Sequence, residues 1–183
     1  MTYPISINEV QQHLRLGTVD ADEQAEIQVM IASATEMAEN YCNRSFTSST
    51  ALVHFDRFPS SEETPLVVHA DVTGSLVVEY YDTSNVQQTY STTRLINNAG
   101  RTKVYPAFGE VWPYDCNNLP SNIVATFTQG DTANVPSSVK SAVLLMVADL
   151  YENRENDVVG AVVSKLTSMT SNRLLHPYKT RVS

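Results

Sequence analysis

The chain has 183 residues and a formal net charge of -8, with 12 Lys and Arg against 20 Asp and Glu. That length suits one domain, or one domain with an insertion, and supplies a core of useful size. The acidic balance excludes wrapping of nucleic acid through clustered cations, though not DNA that passes without being held.

The opening, MTYPISINEV, has no basic n-region and no apolar h-region, so no signal peptide is expected and the cytosol of the producing cell is the expected location. Ser6 with Glu9, ahead of Val10 and Leu14, forms a capping box. It predicts a short helix from about Ile7 to Leu16, closed by Gly17. Asp20 with Glu23 caps a second helix, expected to run to about Asn43. Its stripe is Ile27, Ile31, Ala34, Ala38 and Tyr41, widened by Met30 and Met37. Asp20 and Asp22 resemble a fragment of a calcium loop, but no Gly and distal Glu follow in place, and capping explains them better.

After Phe46 the period shortens, and strands are expected from Ser48 to about Gly130. Ala51–Phe58 is the first, ended by Pro59, and Leu66–His69 is a short second. Leu76–Tyr81 and Val86–Tyr90 flank a turn at Asp82–Asn85 and make a predicted hairpin. Thr93–Ile96 and Lys103–Tyr105 flank a second turn, Pro106–Pro120 is irregular, and Ile123–Thr128 closes the series. Pro136 then suits the first turn of a helix whose stripe is Val139, Ala142, Val143, Met146, Val147 and Leu150. Leu144 and Leu145 lie off that stripe, so the helix is expected to be wrapped on more than one side. Val139, Val143, Met146, Val147 and Leu150 are its expected core residues. Ala161–Leu166 is too short to classify.

The predicted fold class is therefore α+β: a helical bundle of two N-terminal helices plus a long apolar helix near the C-terminus, with an inserted antiparallel β-region. The expected domains are 1–46 with 131–183, and 47–130.

No nucleophile elbow, Walker loop, dinucleotide fingerprint or zinc signature is present, and no cofactor is expected. His13, His54, His69 and His176 are scattered, so no metal site is expected. Cys42 and Cys116 lie far apart, and a disulfide between them stays open. Two features invite more than a packing role. Tyr80, Tyr81, Trp112 and Tyr114 fall in the β-region and read equally as sheet packing or as an inter-subunit surface. The tail places Arg173, Leu174, Leu175, Pro177, Tyr178, Lys179 and Arg181 in an apolar, basic cluster. It either packs back on its own domain or docks on another chain. An enzyme would need a polar cluster that the sequence does not show.

Taken in order, several stretches resemble the head–tail connector (adaptor) proteins of tailed phages. They are ISINEVQQHLRLG, DADEQAEIQVMIASATEMAENYCNRSF, LVVEYYD, Gly100–Arg101 followed by Val111–Pro113, ATFTQG, DLYENRE and RLLHPYKTRVS. Each is weak alone, but their collinear order from about Ile5 to Arg181 makes the likeness specific. The acidic stretch between Phe58 and Leu66 and the loop Asp115–Asn118 depart from the pattern. The resemblance implies a structural virion protein of the neck, assembled in the host cytoplasm, and no membrane. It implies a ring, commonly of twelve copies, beneath the portal protein, with DNA passing through the lumen unread and a stopper or tail-completion protein on the far side. The tail cluster becomes the expected portal-docking element. A tail-completion protein of related fold is the alternative.

Overall fold

A computed structural model describes residues 3–98, 100–117, 119–153 and 169–180. It divides into two compact units: the described residues up to Thr47 and from Asp131 onward form one, and Ser48–Gly130 the other.

In the first unit, α1 spans Ile7–Leu14. The Ser6 hydroxyl accepts from the Glu9 N–H at 3.2 Å, and the Glu9 carboxylate accepts from the Ser6 N–H at 2.6 Å. The helix stops short of Gly17, because Arg15 adopts the left-handed conformation at φ 55 and its N–H and that of Leu16 return to the last turn. Helix α2, Ala21–Cys42, starts on Asp20, whose carboxylate accepts from the Glu23 N–H at 2.8 Å, and ends on left-handed Asn43. It buries Ile27, Ile31, Ala34, Thr35, Ala38 and Cys42. The buried Thr35 hydroxyl is satisfied by the Ile31 carbonyl at 2.7 Å. Helix α3, Ser137–Glu152, follows a 3-10 turn at Thr132–Asn134. It packs against α1 and α2, and the Tyr151 hydroxyl donates to Glu23 at 2.6 Å. Residues 169–175 are helical, and His176–Tyr178 add a 3-10 turn.

In the second unit every strand pairing is antiparallel. The strands are β1 Ser49–Phe55, β2 Leu66–Val68, β3 Val72–Tyr81, β4 Gln87–Tyr90, β5 Thr93–Asn97, β6 Thr102–Pro106 and β7 Ile123–Gln129. They form a four-stranded sheet, β1-β7-β3-β4, and a three-stranded sheet, β2-β6-β5. Strand β7 enters between β1 and β3, with Val53, Ala125 and Val78 in one row and Phe55, Ile123 and Tyr80 in another. One buried cluster draws on both sheets, including Val68, Val78, Val104, Ile123 and Phe127. The register of β3 slips between Val72 and Leu76, where a Cβ on Gly74 would lie 3.0 Å from the Thr128 Cβ. Between β2 and β3, the wholly buried Thr102 hydroxyl accepts from the Val72 N–H at 3.1 Å. Its hydrogen faces the Asn97 side-chain oxygen at 2.6 Å and the Ala70 carbonyl at 2.7 Å.

These findings correct the expected helical bundle around a long apolar helix. The fold is a β-rich α+β fold whose two sheets carry a core of their own. Helix α3 has 16 residues against 22 in α2, and the described residues do not wrap it on all sides. Only Val139, Ala142, Val143 and Val147 are buried, while Leu144, Leu145, Met146 and Leu150 are half-covered. Apolar residues outside a stripe do not demand a second partner surface, because much of any folded surface is apolar. Ala161–Leu166 lies outside the described residues. No helix among the described residues is long and apolar enough to cross a membrane.

Candidate functional site

The sheet unit carries two irregular segments, 56–65 and the described residues of 107–122, that meet over an aromatic floor. Trp112 stacks on Phe58 with ring centroids 5.3 Å apart, and its indole N–H donates to the Thr64 carbonyl at 3.1 Å. Tyr80 meets Phe58 edge-on at 5.3 Å, and Tyr90 lies 5.6 Å from Trp112. The Tyr90 hydroxyl reaches the Val111 carbonyl at 3.1 Å. Burial raises the Tyr80 phenol above its ordinary pKa, with Asp115 adding to the effect, so that phenol stays neutral. Four rings and their hydrogen bonds thus hold both segments in one geometry.

Further along, Asn122 pins the second segment. Its side-chain amide lies 2.7 Å from the Asn117 carbonyl, 2.9 Å from the Tyr81 carbonyl and 3.0 Å from the Cys116 sulfur. The Asp56 carboxylate accepts from the Ser121 N–H at 2.8 Å. Between the segments runs an open groove of about 600 Å³, walled by Arg57, Phe58, Pro59, Trp112, Tyr114 and Cys116 among others. Val111 and Tyr114 in its wall are exposed, and so are Phe108 and Leu119 elsewhere in the second segment. No group of three or more metal-ligating side chains gathers among the described residues. A groove whose wall mixes Arg57, Ser60, Ser61 and Glu62 with aromatic side chains, two of its neighbours standing in water, suits binding of protein surface.

The four aromatics expected at a subunit surface separate. Trp112 and Tyr80 are 5% and 9% exposed and belong to the core, because their rings build the floor. Tyr81 and Tyr114 are 40% and 95% exposed. Sequence reasoning missed Phe108, which is fully exposed, and the role of Phe58, placed at a strand end although β1 stops at Phe55. The Gly109 that follows Phe108, at φ 82, is the local signal of a projecting turn.

The tail lies on the helical unit. Leu175 is wholly buried, and Leu174 and Tyr178 are half-covered. The Tyr178 and Ser138 hydroxyls share a hydrogen bond of 2.8 Å, and the Thr180 N–H donates to the Cys42 carbonyl at 2.8 Å. The Lys179 ammonium sits 4.9 Å from the Tyr41 ring centre. Arg173, His176, Pro177 and Lys179 face outward, and Arg181 lies outside the described residues. A recess of about 290 Å³ opens among Tyr41, Asn172, Arg173, His176 and Pro177. Cys42 and Cys116 are both free thiols. Burial pushes the Cys42 thiol up to about 11, against the opposing charges of Arg44 and Lys179.

A family profile described as Head completion protein matches residues 4–170. No curated protein matches the sequence. Among the solved chains that share the fold are three from gene transfer agent particles. One, from the neck of an empty gene transfer agent (GTA) particle computed with C6 symmetry, superposes at TM-score 0.72 with 20% identity, covering 98% of this chain and 91% of that chain. A second, from the virion of a native GTA particle, gives 0.68 and 19%, covering 98% and 91%. A third, from the neck of a native GTA particle computed with C12 symmetry, gives 0.67 and 15%, covering 100% and 97%.

Proposed function

The chain belongs to the head completion protein family, and from that premise we propose that it is a structural subunit of a tailed-phage neck. Copies form a ring, of twelve, beneath the portal protein. The ring extends the DNA channel and gives a stopper or tail-completion protein its platform. The observation that carries this reading is the likeness of fold, over nearly the full length of both chains, to chains of gene transfer agent necks. The net charge of -8 supports a lumen past which DNA slides, because an acidic wall does not grip phosphate. The exposed apolar end of the sheet unit supports contact with protein. On the helical unit, outward-facing Arg173, His176, Pro177 and Lys179 supply a basic surface for the portal, while Leu175 anchors them to the core.

Negative-stain class averages of the purified chain mixed with its portal test the reading. A twelvefold ring added to one face of the portal is the expected outcome. Portal particles without added density, at concentrations where both proteins are folded, would sink it.

A further inference from the structure

We infer that the four-stranded sheet continues from one copy of this chain to the next, with β1 of one copy pairing antiparallel with β4 of its neighbour. The inference rests on the ring reading and names the contact through which neighbours meet. Strands β1 and β4 are the two ends of that sheet, and among the described residues each is paired on one side only. An end strand leaves every second N–H and C=O without a ladder partner, and proteins ordinarily guard such a row with charge, proline, a bulge or brevity. The three-stranded sheet is guarded in this way: β2 has 3 residues and follows Pro65, and β5 carries Arg94. The four-stranded sheet is not. Strand β1 pairs with β7 through all 7 of its residues without a bulge. No Asp, Glu, Lys, Arg or Pro occurs from Ser45 to Phe55, or from Thr83 to Thr93 around β4.

Strand direction selects a second copy as the partner. Every pairing in this sheet is antiparallel, so β1 and β3 run one way and β7 and β4 the other. Head-to-tail repetition of such a sheet sets β4 of one copy against β1 of the next in opposite senses, and the alternation continues unbroken. Copies related by rotation about one axis present these unlike edges to each other, and such a heterologous contact closes into a ring. The side chains agree. On the core side, the row Val53–Ala125–Val78–Tyr90 is buried at its middle members and half-buried at both ends. On the opposite side, Leu52 of β1 and Thr89 of β4 are exposed and uncharged. Joining the ends covers Val53 and Leu52 with a neighbour's strand and buries no ionised side chain of either strand. Strand β4 offers only 4 residues, so one junction is weak and holds through repetition around the ring.

The test uses the full chain assembled on its portal. Chains carrying Leu52→Cys are mixed with chains carrying Thr89→Cys, both with Cys116→Ser so that only buried Cys42 remains, and treated with a short bismaleimide. Bridged peptides joining position 52 of one copy to position 89 of another are expected. In parallel, Leu52→Lys combined with Thr89→Lys should stay close to the wild-type melting temperature, because both side chains are exposed, and should weaken ring assembly about tenfold or more. Leu52→Lys combined with Thr89→Glu should restore it. Double-lysine chains that assemble as wild type overturn the inference and leave the ring reading standing. So do bridges from position 52 to position 52 without bridges from 52 to 89, which would mean a two-fold pairing of β1 strands. Wild-type chain that forms no ring on the portal overturns both.

Discussion

Glu39 is a half-buried carboxylate with three donors on one oxygen. Its Oε1 accepts from the Phe46 and Thr47 N–H groups at 2.7 Å each and from the Ser45 hydroxyl at 3.3 Å. It thereby fixes the chain that leaves α2. Glu39→Ala leaves two backbone donors unpaired and should cost about 1–3 kcal/mol. Urea unfolding should show a lower midpoint at unchanged slope, and an unchanged midpoint would assign the donors to water. The thiols give a second prediction at this scale. Burial is the main cause of raised pKa at both, to about 11 at Cys42. At neutral pH both are thiols, but Cys116 is half-exposed and Cys42 is buried. One thiol, Cys116, should therefore react slowly with a maleimide in the native protein, and the second only in denaturant. Peptide mapping that finds Cys42 labelled natively would contradict its burial.

At the scale of elements, the stripe of α3 is narrower than its composition advertises. Val143 is wholly buried, whereas Met146 is only partly covered. The two positions should respond differently to a carboxylate. Val143→Asp places a charge in the core, a cost of several kcal/mol against a total stability of about 5–15, and should leave the protein insoluble. Met146→Asp lets the carboxylate reach water and should yield soluble protein with a lowered melting temperature. Equal insolubility of both would show that α3 is covered on its Met146 side too. The caps of α1 and α2 and both hairpins were legible because each is written within a few residues: Ser6 with Glu9, Asp20 with Glu23, Asp82–Asn85 between apolar runs. The termination of α1 at Arg15 was not, because a left-handed Arg carries no sequence signal of its own.

For the whole molecule, the tail provides the clearest prediction. Truncation after Ser171 removes buried Leu175, the Tyr178–Ser138 hydrogen bond and the Thr180 link to Cys42. Loss of a buried leucine alone costs about 2–5 kcal/mol, so the melting temperature should fall by more than several degrees. Calorimetry showing an unchanged transition would remove Leu175 from the core. Portal binding is tested separately with Arg173→Glu and Lys179→Glu, whose side chains face outward. These should lower portal affinity with little change in melting, and unaltered binding would dismiss the docking proposal. If copies form the proposed ring, the free chain should be monomeric or weakly associated, because contacts in such a ring would depend on avidity. Light scattering that finds a closed ring at low micromolar concentration without portal would contradict this.

By itself the sequence determined where the helices begin and that strands lie between them, because caps and apolar periods are local, but it did not place the start of β3, expected at Leu76 and found at Val72. It also carried the resemblance to a connector family through collinear stretches, none of them decisive alone. It did not determine which aromatic faces inward: Trp112 joins the core and Phe108 stands in water, four residues apart in one irregular segment. It did not show β7 inserting between β1 and β3, or the two sheets sharing a core of their own. Those outcomes belong to tertiary structure. A period tells which face of an element is apolar, and only packing against residues distant in the chain decides what covers that face and what is left for a partner.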